Sequence, residues 1–295
     1  MVKSLHGVLP VLVTPMTADE RVDVEAYRRL VQRVLDAGAH GVVVLGSAGE
    51  FAALEDDEKD RAINTAVEQV AGRVPVIVGT GEPGTSRAVA RTQRATALGA
   101  DAALVVPPYY YRVSDDAVVR HYQAVAREGG LPILLYNTPV FTKVELSLDV
   151  LRALSGEPGV AGMKDSSANL RYYQTVAEGV RSERFTLLTG SDGFFFQQLV
   201  IGCDGCISPG ANVATPWFVE LWEAMQAGRW QEAWVVQQRI AALHRGMGQG
   251  AFPAGIKGAL SLLGIGGTAV AAPNVPVTDA QLQTIAATLR EFGLL

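Results

Sequence analysis

Lys164 has the most informative position in the sequence. It ends the apolar run Val160–Met163 and is followed directly by Asp165. A run of such small apolar residues is typical of a strand buried on both faces, and an amine at its end is partly stripped of water. Because desolvation disfavours the ammonium form, a neutral nucleophile becomes available near neutral pH, as in a Schiff-base lysine. A buried ion pair between Lys164 and Asp165 is the structural alternative.

Other polar side chains also follow apolar runs directly. The run Val42–Leu45 leads into a tight turn, residues 46–50, whose backbone N–H groups and Ser47 hydroxyl suit a carboxylate ligand. Tyr110 and Tyr136 follow two later runs. Tyrosines at such positions are candidate proton carriers, and packing of each ring at the rim of the fold is the alternative.

Two further motifs allow more than one interpretation. The segment Gly190-Ser191-Asp192 follows an apolar run, and Asp192 either reaches a substrate or caps a helix. The segment 79–84 matches G-x-G-x-x-G after a strand. The dinucleotide fingerprint also requires an acidic residue at the end of the next strand, where this chain has Val106 and Pro107. Nucleotide binding is therefore not expected.

The composition is that of a globular protein. The 295 residues are 48% hydrophobic and 19% charged, enough for one large α/β domain or two small ones. A net charge of −5 and the lack of a basic cluster interleaved with aromatic residues argue against nucleic-acid binding. The segment Met1–Gly7 lacks the apolar core of a signal peptide, and Asp204 and Pro209 interrupt the longest apolar stretch, Leu199–Trp217. We therefore expect a cytoplasmic protein without a membrane partner.

Cys203 and Cys206 form a C-x-x-C motif. The histidines are isolated in the sequence, so a zinc site lacks further ligands. The motif lies at the entry to a strand and does not open a helix after one, as a thioredoxin-like motif requires. We interpret the two cysteines as small apolar residues.

Eight strand-like apolar runs alternate with helical patterns. The runs are Val8–Val13, Val42–Leu45, Val74–Val78, Ala102–Val106, Leu131–Leu135, Val160–Met163, Phe185–Leu188 and Gly205–Ile207. The first helix is the clearest, with Asp23 as its N-cap and Gly38 as its stop. Eight such units within about 210 residues predict a closed (β/α)₈ TIM barrel over residues 1–214. A doubly wound open sheet is the alternative.

Residues 215–295 contain no strand pattern and are predicted to form a helical C-terminal extension. Thr215, with Pro216 at the first helical position, predicts a helix start. The segment Trp230–Leu243 is amphipathic, and Thr278 with Gln281 forms a capping box. The apolar residues of this extension are expected to pack on the barrel or to serve subunit contacts.

Four motifs together resemble those of a known enzyme family. They are Gly46-Ser47-x-Gly49-Glu50, Pro108-Tyr109-Tyr110, Tyr136-Asn137-x-Pro139 and Gly162-Met163-Lys164-Asp165-Ser166. In this order and spacing, over the whole chain, they resemble the dihydrodipicolinate synthase / N-acetylneuraminate lyase family of class I pyruvate-dependent aldolases. The resemblance strengthens the interpretation of Lys164 as a Schiff-base lysine.

The resemblance implies catalytic roles for Lys164, Tyr136, Ser47 and Tyr110. Lys164 would form an imine with the ketone of pyruvate or a 2-keto acid, and Tyr136 would move protons. Ser47 and Tyr110 are the expected relay partners, with Tyr110 reaching into the site of a neighbouring subunit. The backbone N–H groups of Ser47 and Ala48 are expected to hold the carboxylate. Because the protonated imine is itself the electron sink, no metal or other cofactor is expected.

Two departures from the family pattern bear on the substrate. The turn carries Ala48 where the synthases and many lyases carry threonine, so one side-chain bond to the carboxylate is missing. Phe141 stands where the synthases usually place the arginine that binds the carboxylate of aspartate semialdehyde, which argues against lysine biosynthesis. The Gly-Ser-x-Gly-Glu-Phe turn and Asp192 are more similar to the branch that acts on 2-keto-3-deoxy sugar acids. The expected substrate-binding residues are Ala48, Gly190, Asp192, Ile207 and Phe141.

The expected function is reversible aldol cleavage of a 2-keto-3-deoxy sugar acid, or of a related 4-hydroxy-2-oxo acid, to pyruvate plus an aldehyde. A keto-deoxy sugar acid dehydratase and a 4-hydroxy-tetrahydrodipicolinate synthase are the enzymatic alternatives. A sensor that only binds a 2-keto acid is the non-enzymatic alternative, but it has no physical need for four reactive groups. An NAD-dependent dehydrogenase has still less support from the sequence. The resemblance also implies a homo-oligomer, a tetramer built as a dimer of dimers.

Overall fold

The computed structural model describes residues 4–295 and contains a barrel of eight parallel strands. The strands are β1 (Gly7–Pro10), β2 (Val42–Val44), β3 (Val76–Gly79), β4 (Ala102–Val105), β5 (Ile133–Asn137), β6 (Val160–Asp165), β7 (Thr186–Thr189) and β8 (Gly205–Ser208). Hydrogen-bonded neighbours follow the order β1-β8-β7-β6-β5-β4-β3-β2, and a parallel bridge between Val11 and Val43 closes the barrel. The predicted (β/α)₈ fold is thus confirmed. Residues 1–3, part of the segment expected to lack a signal peptide, lie outside the described residues.

Helices surround the strands and continue into a C-terminal helical region. The barrel helices are α1 (Val24–Asp36), α2 (Asp56–Val70), α3 (Thr85–Ala97), α4 (Asp115–Glu128), α5 (Pro139–Thr142), α6 (Leu148–Leu154), α7 (Leu170–Val180), α8 (Phe195–Ile201) and α9 (Ala211–Gln226). The C-terminal region adds α10 (Trp230–Met247), α11 (Ala254–Leu262) and α12 (Asp279–Glu291). A 3₁₀ turn, Asp192–Phe194, precedes α8. Among the helices of residues 4–295, none combines the length and hydrophobicity that crossing a bilayer requires.

Local capping signals fix the starts of two helices as predicted. The Asp23 carboxylate accepts a hydrogen bond of 2.9 Å from the Ala26 N–H at the start of α1. At the start of α12, Thr278 and Gln281 each bond to the other's backbone N–H, which is the predicted capping box. Both caps satisfy N–H groups that the first helical turn leaves without an acceptor.

Helix α9 consists of two helical segments. The first begins at Ala211, and a break in helical geometry at Ala214 separates it from the second, which begins at Thr215 as the sequence indicated. Pro216 accounts for the bend, because its ring has no N–H and clashes with the carbonyl four residues before it. The first segment follows β8 directly, and α9 packs on β1; the break at Ala214 lies at the division drawn between residues 214 and 215.

The C-terminal region is attached to the barrel by an apolar cluster. Phe195 and Phe218 stack with ring centroids 6.2 Å apart, and Val8, Cys206 and Ile240 are buried in the same cluster. Burial raises the pKa of Cys206, and it raises the pKa of Cys203 to about 11. Thiols with such pKa values are inert near neutral pH, in agreement with the interpretation of both cysteines as small apolar residues. In the described part of the chain, no three His, Cys, Asp or Glu side chains gather in a group that would hold a metal ion.

Candidate active site

Lys164 and Tyr136 lie side by side on neighbouring strands. Strands β5 and β6 pair in parallel, with Tyr136 opposite Lys164 and Asn137 opposite Asp165. Because side chains alternate along a strand, Lys164 and Tyr136 share one face and the other pair shares the opposite face. The Lys164 Nζ lies 4.1 Å from the centroid of the Tyr136 ring. Both side chains are buried, with 3% and 4% of the residue surface exposed.

Asp165 is bonded to groups other than Lys164. Its carboxylate accepts hydrogen bonds from Asn137 Nδ2 at 2.7 Å and from Ser167 Oγ at 2.9 Å. Burial raises the pKa of Asp165, and these two bonds oppose the rise. The structure therefore contradicts the alternative in which Lys164 is buried as the ion-pair partner of Asp165, and the amine remains available to a ligand.

Tyr136 is adjusted for proton transfer by its neighbours. Burial raises the pKa of its hydroxyl, but the Lys164 ammonium and hydrogen bonds with Ser47 and Ser166 outweigh burial and lower the pKa to about 8. The Ser47 Oγ lies 3.5 Å from the Tyr136 hydroxyl oxygen. A tyrosine with this pKa exchanges its proton readily in the pH range where most enzymes work.

The turn after β2 leaves two backbone donors unused. The Gly49 N–H donates to the Gly46 carbonyl at 2.9 Å, and the Glu50 N–H donates to the Ser47 carbonyl at 3.2 Å. These bonds hold the turn together, whereas the N–H groups of Ser47 and Ala48 donate to no acceptor within residues 4–295. Both residues line the cavity that contains Lys164, so their N–H groups can receive a carboxylate there.

A buried ion pair fixes the far end of this turn. Glu50 has a left-handed backbone conformation, with φ at 58°. Its carboxylate pairs with Lys257 of α11 and accepts a bond of 2.8 Å from the Ala271 N–H, and Lys257 Nζ donates to the Ala269 carbonyl at 2.8 Å. The two charged side chains are 3% and 1% exposed. The C-terminal region therefore holds the turn in place from outside the barrel.

Most of the predicted site residues line one cavity of about 510 Å³. They are Ser47, Ala48, Tyr136, Phe141, Lys164, Gly190 and Asp192. Gly190 has room for no side chain: a Cβ there would lie 2.0 Å from Ser166 Oγ and 2.6 Å from Lys164 Cε. The absence of a side chain at Gly190 is thus what gives the lysine its path into the cavity.

Two predicted residues do not line this cavity. Ile207 lies in β8 opposite Leu9 of β1, and its side chain is fully buried in the hydrophobic core, so its part in substrate binding stays a prediction. Tyr110 lies on the loop before α4, with 87% of its surface exposed and its φ at 80°. Within one chain it reaches none of the other predicted groups, so its action in a neighbouring subunit stays a prediction.

The sequence interpretation missed two cavity residues from the C-terminal region, His244 and Phe252. The Phe252 ring packs on Phe141 with centroids 5.8 Å apart, and His244 Nδ1 lies 3.7 Å from Asp192 Oδ2. The Asp192 carboxylate raises the pKa of His244, and partial burial opposes the rise. Histidines counted as isolated in the sequence gave no signal of this contact. Ser166, which lines the cavity and bonds to Tyr136, was also missed as a site residue. Its position two residues after Lys164, within the lysine motif, was the signal that could have identified it.

Comparisons with known proteins agree with this architecture. The dihydrodipicolinate synthetase family matches residues 4–292 of the chain. A 4-hydroxy-tetrahydrodipicolinate synthase of Xanthomonas campestris pv. campestris is 39% identical over 263 residues, which cover 89% of this chain and 87% of that protein. An uncharacterized DapA-like lyase of Halobacterium salinarum is 37% identical over 291 residues, which cover 99% of this chain and 95% of that protein.

A solved structure extends the likeness to three dimensions. The chloride-inhibited dihydrodipicolinate synthase from Acinetobacter baumannii, complexed with pyruvate, has a TM-score of 0.95 at 30% identity, over 99% of this chain and 100% of that chain. The likeness spans the barrel and the C-terminal region together. The chain therefore belongs to the dihydrodipicolinate synthetase family of pyruvate-dependent lyases, as its four motifs predicted.

Proposed function

We propose that this protein catalyses the reversible aldol cleavage of a 2-keto-3-deoxy sugar acid, or of a related 4-hydroxy-2-oxo acid, to pyruvate plus an aldehyde. The observation that carries the proposal is the buried Lys164 amine, 4.1 Å from the Tyr136 ring centroid, in a cavity of about 510 Å³. A cavity of this size holds a small organic acid.

The reaction starts when Lys164 gives its ammonium proton to the Tyr136 phenolate and the resulting amine adds to the C2 ketone of the substrate. Tyr136 then returns the proton to the hydroxyl group that leaves as water, which gives a protonated imine and the Tyr136 phenolate. The Tyr136 phenolate takes the proton from the C4 hydroxyl as the C3–C4 bond breaks, and the electron pair of that bond moves into the imine. The aldehyde leaves, and an enamine remains. Protonation at C3 and hydrolysis of the imine release pyruvate and regenerate the amine. The imine on Lys164 supplies the electron sink, so the proposal requires no separate cofactor.

The remaining groups of the site hold the substrate. The N–H groups of Ser47 and Ala48 bind the C1 carboxylate, and Ser47 completes a proton relay with Tyr136, to which its Oγ lies at 3.5 Å. In the assembled oligomer, a dimer or a dimer of dimers, Tyr110 of a neighbouring chain is the second relay partner. This arrangement is consistent with the exposed position of Tyr110 in a single chain.

The wall around Phe141 favours this function over the synthase reaction named for several relatives. Phe141 and Phe252 form an aromatic pair, 53% and 41% exposed, that lines the cavity where a cation would be needed for the carboxylate of aspartate semialdehyde. An apolar pair does not compensate an anionic group that leaves water. A dehydratase of the same keto-deoxy acids starts from the same imine, and its product retains all the carbon atoms of the substrate.

Borohydride reduction in the presence of pyruvate tests the proposal. Intact-mass and peptide mass spectrometry should detect a reduced pyruvoyl adduct on Lys164, and Lys164→Met should abolish it. Lys143→Met, which removes an exposed lysine, should leave the adduct unchanged. With the adduct established, 2-keto-3-deoxy acids are compared with aspartate semialdehyde as substrates. An absent adduct would refute the imine mechanism, and faster turnover of aspartate semialdehyde would make the protein a synthase.

A further inference from the structure

Helix α10 lies outside the barrel but contributes to the cavity wall. Gln237 of this helix is buried and donates from Nε2 to the Asp192 carbonyl at 2.9 Å. Its Oε1 accepts a bond of 2.8 Å from the Phe196 N–H. These two bonds fix α10 against the 3₁₀ turn that carries Asp192. His244 follows seven residues later on the same face of the helix, so it is held beside the same turn.

Asp192 has one carboxylate oxygen with a partner and one without. Its Oδ2 accepts a bond of 2.9 Å from the Gly210 N–H. Its Oδ1 is buried and has no hydrogen-bond partner within residues 4–295. The residue is only 4% exposed and lines the cavity that contains Lys164. Leaving a buried carboxylate oxygen without a donor costs free energy, so a ligand that donates a hydrogen bond to this oxygen would be stabilised in the site.

His244 does not satisfy this oxygen. Its Nδ1 lies 3.7 Å from the other oxygen, Oδ2, and the imidazole is 58% exposed. Two residues that line the cavity therefore offer different groups: Asp192 has an acceptor that lacks a donor, and His244 has an imidazole whose pKa is raised by the Asp192 carboxylate. A hydroxyl group matches this pair in its chemistry, because it can donate to the carboxylate and accept from an imidazole N–H.

We propose that His244 is a specificity-determining residue that, with Asp192, binds a hydroxyl group of the aldehyde-derived part of the substrate. This inference rests on the proposed aldolase function and narrows its substrates to hydroxylated aldehydes that carry no carboxylate at this end. A second carboxylate at this end meets the Asp192 charge and is disfavoured, whereas a polyhydroxylated chain is accepted.

The test uses the condensation of pyruvate with two aldehydes of equal length, glyceraldehyde and propanal. The quantity measured is the ratio of kcat/KM for glyceraldehyde to kcat/KM for propanal. Wild type should prefer glyceraldehyde, and His244→Ala should lower the ratio by about 10- to 100-fold, the effect of losing a hydrogen bond to a charged group. His244→Asn, which keeps a side-chain donor, should recover part of the ratio. Gln238→Ala, on an exposed position of the same helix, should leave it unchanged.

Borohydride trapping of pyruvate on each variant separates this inference from the proposed function. If wild type forms no adduct on Lys164, the aldolase function itself fails. If all variants form the adduct but wild type shows no preference for glyceraldehyde, the hydroxyl site is refuted. Equal losses for both aldehydes in His244→Ala would also overturn the inference, because they would assign His244 to holding the fold and not to selecting the substrate.

Discussion

The chemistry proposed for this protein depends on the protonation of a single buried hydroxyl. Tyr136 has little contact with water, yet its pKa lies near 8 because Lys164, Ser47 and Ser166 stabilise the phenolate more than burial destabilises it. In the cleavage direction the phenolate is the base, so the fraction of active enzyme grows as the pH rises through that pKa.

We therefore predict that kcat/KM for cleavage rises with pH and levels off above about 8. Ser47→Ala removes a hydrogen bond that lowers the pKa of Tyr136, so the ascending limb should move to higher pH. Tyr136→Phe should lower kcat by about 10²- to 10⁴-fold and abolish the limb. Initial rates measured across the pH range for the three proteins would check this. An unchanged limb in Tyr136→Phe would mean that another group is the base.

The sequence revealed Lys164, Tyr136 and Ser47 because each lies at or directly after the end of a strand. In a β/α barrel the strand ends converge on one face, so position in the chain is enough to bring such residues together. His244 has no comparable signal. Its place depends on how α10 packs against the 3₁₀ turn at Asp192, and local patterns of α10 do not encode that contact.

At the scale of elements, the turn after β2 and helix α11 depend on each other. The Glu50–Lys257 pair connects positions 207 residues apart in the sequence, and both charged side chains are almost fully buried. Nothing in the sequence indicated a partner for Lys257. Pairing between distant segments is decided by tertiary packing, whereas the Asp23 cap of α1 is decided within four residues and was predicted.

Replacing one partner of this pair should lower the free energy of unfolding more than replacing both. Lys257→Met leaves the Glu50 carboxylate buried without a cation, and we expect the free energy of unfolding to fall by about 3–5 kcal/mol. The double variant Glu50→Gln/Lys257→Met should recover most of that loss, since the amide still accepts from the Ala271 N–H. Urea unfolding followed by circular dichroism would measure both.

Arg152→Met is the matched control for the buried pair. It removes an exposed ion pair with Asp149 within one turn of α6, and pairs of this kind contribute little to stability. If Lys257→Met costs no more than this control, or if the double variant is as unstable as the single one, the pair does not hold the turn.

At the scale of the whole molecule, one predicted catalytic residue is left outside the site of its own chain. Tyr110 packs edge-on against Tyr111, with ring centroids 5.0 Å apart, and both rings are largely exposed. Its φ of 80° is costly for a residue with a side chain, and such strain is usually maintained where it serves a function. An exposed aromatic group held in this way is well suited to enter a neighbouring copy of the chain.

Complementation between two inactive variants tests that arrangement. Tyr110→Phe and Lys164→Met should each lose most activity alone. If Tyr110 acts across the interface, a mixed dimer has one complete site, with Lys164 from the first variant and Tyr110 from the second. With random mixing half of the dimers are mixed and one of their two sites is complete, so coexpression should restore about a quarter of wild-type activity. If Tyr110 acts within its own chain, no site in the mixture is complete and activity stays at the level of the single variants.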